Sequence, residues 1–458
     1  MMRRRLSVGT RRERVAPWAL AALALALAGI VVTVWRPLAP PVGVGAGELG
    51  RFGADVLSTV RDYRQPRYLV AVVATTLGVV VPLVFVASAW GRRRVASWSG
   101  PGEGGAVRAA LVALRISVVT SLMVLPLAVY VGIVHDGRWG FRTRSTPGWF
   151  FDWLLRAAGR WLMVAVLVAA LLVAVRRWPR SWPYRVTVAG TALVAGFVVL
   201  HPLVVQPLFL PTGPLAAGPA RDAITAVLER GDAADLPIHV GEASRNSTRV
   251  NALVTGLGPT ERVVVYDNLL ELTPDQIGVV VAHELAHHEH RDLPRGVALS
   301  ATALLAGGLV LRRLLASAGV QGAVGARHPS DARMAAVVLA AVALGELAGN
   351  PVANLVSRRA EAAADARAVE LTREPALLLT TTRVFTVRDL SDPDPPRLMR
   401  WLYGSHPTVS ERIDYLEAWA AHHDIALPDL DEVQTGEAGQ RHPAIDGGLP
   451  VAPGGARP

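Results

Sequence analysis

Long, nearly unbroken apolar runs alternate with short polar and arginine-rich stretches over the first 210 residues. The runs are Ala16 to Trp35, Arg67 to Trp90, Leu111 to Val134, Trp161 to Val175 with its flanks, and Tyr184 to Leu210. About 20 apolar residues cross a bilayer core, so the pattern predicts a five-helix membrane block over residues 16–210, after an arginine-rich segment at 1–15. A cleaved signal peptide is the competing reading of Ala16 to Trp35, although its apolar stretch would be only about 7–15 residues. Pro82 and Pro126 would break a helix in water, but neighbouring spans can satisfy the backbone groups they free. After Pro211 the chain turns polar, with a helical pattern at Ala220 to Arg230. Short Val-rich runs at Ile238 to Val240, Val250 to Thr255 and Arg262 to Tyr266 read as strands of a small mixed domain. Two more apolar runs, Gly296 to Leu315 and Ala332 to Gly349, bring the expected spans to about seven, and a helical segment follows at Val352 to Leu371. A second domain at 211–426 would include these two spans (about 296–315 and 332–349). Residues 427–458 are too rich in Gly, Pro and acids to offset their ordering entropy, and a disordered tail is expected there. The fold class is therefore mainly α: a polytopic membrane protein with a small α+β domain.

Composition supports the membrane assignment. The chain has 458 residues, 51% of them hydrophobic, and a mean hydropathy of +0.34, too apolar for a typical soluble protein. The net charge of +10 invites a nucleic-acid reading. None of the basic residues is a lysine, however, and the arginines cluster beside apolar runs, where insertion topology and anionic lipid explain them. The expected partners are a lipid bilayer and a peptide or membrane-protein substrate, with no nucleic acid, and the expected state is a monomer. The Arg-, Ala-, Val-, Gly- and Pro-rich composition fits a GC-rich bacterial genome, hence a multi-pass protein of the plasma membrane. With no cysteine in the chain, disulfides, thiolate metal sites and cysteine catalysis are excluded, and any transition metal must be held by His and carboxylate.

Thr273-Pro274-Asp275-Gln276 has the form of a capped helix start. The helix it opens carries His283 and His287, four residues apart and so on one face, where both rings can reach one ion. Glu284, one residue on from His283, falls beside the metal position, placed to act as general base. A peptide carbonyl resists neutral water, and an ion there would both polarise it and acidify the water. His288 and His290 point elsewhere on the helix and read as surface or supporting groups. Two imidazoles leave a tetrahedral ion short of a ligand. In Ser357 to Asp365 the acids Glu361 and Asp365 share one helical face, so Glu361 could bind metal while Asp365 orients a ligand histidine. By spacing alone that assignment is weak.

The surrounding residues strengthen it. His283-Glu284-Leu285-Ala286-His287, then Asn354-Leu355-Val356-Ser357-Arg358 through Glu361 and Asp365, resembles the CAAX prenyl protease type 1 family of membrane zinc metallopeptidases. Asn251-Ala252, Thr255-Gly256-Leu257-Gly258 and Arg262 to Asp267 are similar to that family's edge strand and the strand after it. Ser405-His406-Pro407-Thr408 with Arg412 is similar to its C-terminal motif, and Gly140-Phe141-Arg142 to Trp149 and Asp152 to a loop before the fourth span. The likeness runs from about Tyr63 to Leu416. It implies helices enclosing a water-filled chamber, a zincin-like catalytic domain and one Zn2+ held by His283, His287 and Glu361. It also implies that Asn251 pairs with an extended substrate and that His406 and Arg412 take part near the site. Ala286 and His288 depart from the family, which commonly has Gly and an aromatic there. A catalytically inactive scaffold or transporter with a structural zinc, and an anchored protease without a chamber, are the competing readings.

The sequence leaves two matters open. Arg3 to Arg14, Arg92 to Arg94 and Arg176 to Arg185 would place the peptidase domain outside the cytoplasm, whereas the eukaryotic pattern of the family places it inside. Arg115, His201 and Glu346 fall in or near apolar spans, where charge is costly, and suggest a polar chamber lining.

Overall fold

A computed structural model describes residues 52–101, 105–427, 442 and 445. The expected span Ala16 to Trp35 and most of the expected tail lie outside the described residues. Six helices among the described residues are long and apolar enough to cross a membrane, and they match the remaining six expected spans. They are built around α1 (Ala54–Ala87), α3 (Ala106–Val129), α4 (Thr146–Arg177), α5 (Trp182–Leu200), α8 (Asp292–Leu315) and α9 (Met334–Thr372), with the short α2 (Ala89–Ser99) between the first two. Pro82 and Pro126 sit inside continuous α1 and α3. α3 and α5 then widen into π-helical turns at Tyr130–His135 and His201–Val205. The second of these begins at His201-Pro202, whose proline cannot donate in the α-helical ladder.

The last span and the helical segment after it, expected as separate pieces, form one helix, because α9 runs 39 residues straight through Pro351. This continuity matters for the site, since α9 carries residues from the membrane into the polar domain.

That domain contains α6 (Pro219–Arg230), α7 (Pro274–Glu289), α10 (Pro375–Arg388), α11 (Arg397–Tyr403) and α12 (Val409–His422). Its sheet has strands β1 (Thr212–Pro214), β2 (Ile238–Gly241), β3 (Ala252–Thr255) and β4 (Arg262–Tyr266) in the order β1-β2-β4-β3. β2 and β4 are parallel, and both outer pairs are antiparallel. β1, three residues of Thr-Gly-Pro, has no apolar alternation and escaped the strand pattern. β4 supplies Val263, Val264 and Val265, fully buried on both faces, and its central place leaves β3 as an edge strand.

Apolar packing is concentrated in two cores at opposite ends of the helices. One joins Val56, Val60, Phe141, the sheet, α7 and Ala368; the other joins Phe85, Ala109, Leu172, Trp182, Leu315 and Met334. From Val60 to Phe85 α1 climbs roughly 37 Å at about 1.5 Å per residue, enough to traverse a bilayer core. Between the cores the helices are loosely associated, with 6% to 28% of the residues in their apolar windows buried. In water such surface would collapse; in lipid it is solvated by acyl chains. Arg115, in α3, stacks over Trp98 with its guanidinium 5.7 Å from the ring.

Two tail positions within the expected disordered stretch are instead packed. His442 lies 4.7 Å, centroid to centroid, from Phe141, and Ile445 belongs to the core of the polar domain. Composition could not foresee this, because one ring and one aliphatic side chain find partners supplied by distant segments.

Gly256, directly after the edge strand, has φ +96°, and a Cβ there would lie 2.2 Å from the Thr260 carbonyl oxygen. Gly256→Ala is therefore expected to destabilise the fold by about 1–3 kcal/mol, read as a lower thermal midpoint in detergent, whereas Gly213→Ala, with open space around the new methyl, should leave the midpoint unchanged.

Candidate active site

α7 begins as its sequence predicts. Thr273 Oγ1 accepts from Gln276 N–H at 3.3 Å and Gln276 Oε1 accepts from Thr273 N–H at 3.1 Å, with Pro274 at the first helical position. The helix is buried from Gln276 through His283, so its direction is fixed by packing, and His283 and His287 emerge one turn apart with ring centroids 5.0 Å apart. At the end of α7, Arg291 adopts a left-handed conformation (φ 55°) and turns the chain into α8.

Each imidazole is held through Nδ1. His283 Nδ1 lies 2.9 Å from Asp365 Oδ1, and His287 Nδ1 lies 2.8 Å from Asp292 Oδ2. With Nδ1–H donating to a carboxylate, each ring keeps its Nε2 lone pair free. Both Nε2 atoms face Glu361, His283 at 3.2 Å from Oε2 and His287 at 3.7 Å from Oε1. Ligand atoms of these three residues all lie within 4.8 Å of one another. Two lone pairs and a carboxylate directed at a common point repel unless a cation or proton lies between them. The same clustering drives the His283 imidazole up to about 10: burial lowers it, and the hydrogen bonds and charge of Asp365 and Glu361 more than offset that. The donor set, two imidazole nitrogens and a carboxylate oxygen without sulfur, fits zinc.

Glu284 stands beside this cluster on the wall of a cavity of about 820 Å³ that also receives Asn251, Glu361, His406 and Arg412. Enclosure raises its carboxyl above the ordinary range, against the lowering effect of His283 and His287. The cavity opens toward the membrane helices, with Ala71 and Ala74 of α1 and Val124 and Leu127 of α3 in its lining. Arg115, His201 and Glu346 are not part of that lining.

The resemblance-based residues converge on the same place, in distinct ways. His406, largely exposed to the cavity, puts Nδ1 2.8 Å from Glu361 Oε2. Asn251 directly precedes β3, and its carbonyl accepts from Tyr266 N–H at 2.9 Å. Arg412, expected among the catalytic groups, directs its guanidinium at Asp365, with Nε 2.8 Å from Oδ2 and a second bond to Oδ1. It thus clamps the acid that holds His283, and its geometry is that of a positioning residue. His288 and His290 stand off the cluster: His288 Nδ1 is 3.8 Å from Glu261, and His290 Nδ1 is buried without a hydrogen-bond partner. Asp292 escaped the sequence reading. Its only signal is an acid five residues past His287, at a helix junction that no periodicity reveals.

Two family models match this chain. Peptidase family M48 matches residues 219–420, and the CAAX prenyl protease N-terminal region of five membrane helices matches residues 50–210. The uncharacterized metalloprotease YhfN of Bacillus subtilis is 27% identical over 66% of this chain and 71% of its own length. CAAX prenyl protease 1 of Saccharomyces cerevisiae is 24% identical over 40% of this chain, and the alignment spans 41% of the yeast protein. The crystal structure of S. mikatae Ste24p superposes with a TM-score of 0.71 at 18% identity, covering 88% of this chain and 99% of that one, which establishes the likeness of fold.

Removing a carboxylate behind a metal-binding imidazole costs about 10–100-fold in metal affinity. Asp292→Asn is expected to show a loss of that size in chelator-competition titrations, with the fold intact. Arg412→Ala leaves Asp365 buried without its cation, a loss of about 3–5 kcal/mol; it should lower both thermal stability and metal content, which a residue contacting substrate alone would not do.

Proposed function

The chain belongs to peptidase family M48, with the CAAX prenyl protease type of N-terminal membrane region, and on that premise we propose that this multi-pass membrane metalloendopeptidase is zinc-dependent. His283, His287 and Glu361 would hold one zinc ion, and Glu284 would serve as general base. The observation that carries the reading is the convergence of two Nε2 lone pairs and one carboxylate on a common point beside Glu284.

When bound, the ion would polarise the scissile carbonyl and make attacking water acidic near neutral pH. Glu284 then takes a proton from that water and passes it to the leaving amine. Burial raises its carboxyl above the ordinary range, which makes it a better proton acceptor than an exposed glutamate. His406 reaches Glu361 from the cavity side and is placed to donate to oxygen as negative charge develops on the carbonyl. Asp365 and Asp292 keep both ligand imidazoles in one tautomer, and Arg412 keeps Asp365 ionised and in place.

Substrate is proposed to lie extended along β3, its main chain adding a strand to the sheet edge beginning at Asn251. The cavity borders α1 and α3, so the substrates that fit are peptides and loosened segments of membrane proteins. The activity is CAAX-protease-like in mechanism.

Hydrolysis of a diverse peptide library in detergent tests this. Wild type is expected to cleave; chelation should abolish cleavage and added zinc restore it. Glu284→Gln should lose about 10²–10⁴-fold in rate, the usual contribution of a general base, while binding metal as wild type does. Equal cleavage by all three preparations would overturn the proposal.

A further inference from the structure

The chain has a strongly cationic end, and the candidate site is at the other. Residues from α2, the start of α3, the end of α4, the start of α5, the end of α8 and the start of α9 share one core. Residues 88–101 and the connections 178–181 and 316–333 are thereby gathered on one side of the helix block. Arg312 at the end of α8 donates to the Arg180 carbonyl at 2.8 Å, tying that helix to the 178–181 connection. This end carries three arginines at 92–94, four between 176 and 185 and four between 312 and 333, against one acid among the described residues, Asp331. Among the described residues none of these eleven guanidinium groups is ion-paired to a carboxylate; the ion pairs lie elsewhere, as at Arg67–Asp136, Arg144–Asp152 and Arg388–Glu271.

The same end carries indole rings overlaid by guanidinium groups. Arg94 lies 5.9 Å from the Trp90 ring, and Arg185 lies 4.7 Å from the Trp178 ring. Tryptophan with arginine at the ends of spans is the composition of a membrane–water interface. At the opposite end the short connection 130–145 holds three arginines, Arg138, Arg142 and Arg144, of which Arg144 pairs with Asp152 at 3.1 Å and Arg142 donates to the Arg144 carbonyl. The positive excess is therefore far larger at the first end, where none of eleven arginines has a carboxylate partner among the described residues, than at this one, with three arginines beside Asp136 and Asp152.

We propose that this arginine-rich end is the cytoplasmic face of the molecule, set among anionic phospholipid headgroups, and that the peptidase domain with its cavity lies on the other side of the membrane. Short arginine-rich loops are retained in the cytoplasm during insertion, and the negative cytoplasmic leaflet then holds them. The catalytic segment is too long for its own charges to set the orientation. The substrates reached would be polypeptides on the non-cytoplasmic side. The inference rests on the membrane fold, not on the chemistry of the site.

The chain contains no cysteine, so single-cysteine variants can be read in the otherwise unaltered chain. Ala217→Cys is exposed on the peptidase domain and Ala318→Cys is exposed at the basic end. In intact bacterial cells a membrane-impermeant maleimide should label Ala217→Cys directly and Ala318→Cys only after permeabilisation. Adding Glu284→Gln should leave the pattern unchanged, which separates a failure of orientation from a failure of catalysis. Labelling in the reverse order, or of both positions alike in intact cells, would overturn the inference.

Discussion

Three acceptor groups held face to face are what the rest of the molecule supports. His283 Nε2, His287 Nε2 and a Glu361 carboxylate oxygen meet at distances where they repel unless a proton or a cation lies between them. Each is fixed by something behind it. Asp365 and Asp292 hold the rings by Nδ1, Arg412 holds Asp365, and the buried body of α7 holds both histidines in register. The cluster is relieved when a proton or a cation enters, and the packing beneath it must hold the three groups together in either state. The tight core around Val263, Val281, Leu285 and Ala368 does that.

The other constraint is the membrane. α9 starts in one core and ends in the other, and Glu361 lies on it three turns beyond Pro351. The carboxylate of the site is thus mounted on an element whose position is set by lipid as well as by protein. The same two-core plan leaves the mid-sections of the helices free of close packing, and the cavity beside Glu284 borders α1 and α3 there. A soluble protein would close such a space; a bilayer stabilises the outer faces independently and lets the inner ones stay apart.

How much of this was legible in the sequence follows from the range of the interactions concerned. Six of the expected spans, the α7 cap, three strands and the His283–Glu284–His287 spacing are local patterns, and each is present among the described residues. Glu361 and Asp365 were marked as one helical face, but their meeting with α7 is a contact 78 to 82 residues away in sequence, which only the likeness to known motifs could suggest. Asp292 was invisible because its role depends on one left-handed residue, Arg291. Arg412 was recognised, but its aim at Asp365 depends on how α12 docks. The continuity of α9 through Pro351 was missed because proline ordinarily marks a helix boundary.

The most direct test of the metal cluster is zinc K-edge absorption spectroscopy on purified, zinc-loaded protein, comparing wild type with Glu361→Gln and His287→Ala. The account predicts one ion per wild-type chain in a nitrogen- and oxygen-only shell with Zn–N near about 2.0–2.1 Å, and a weakened or altered shell in each variant. A wild-type protein that binds no divalent ion, or a shell that neither substitution changes, would contradict it.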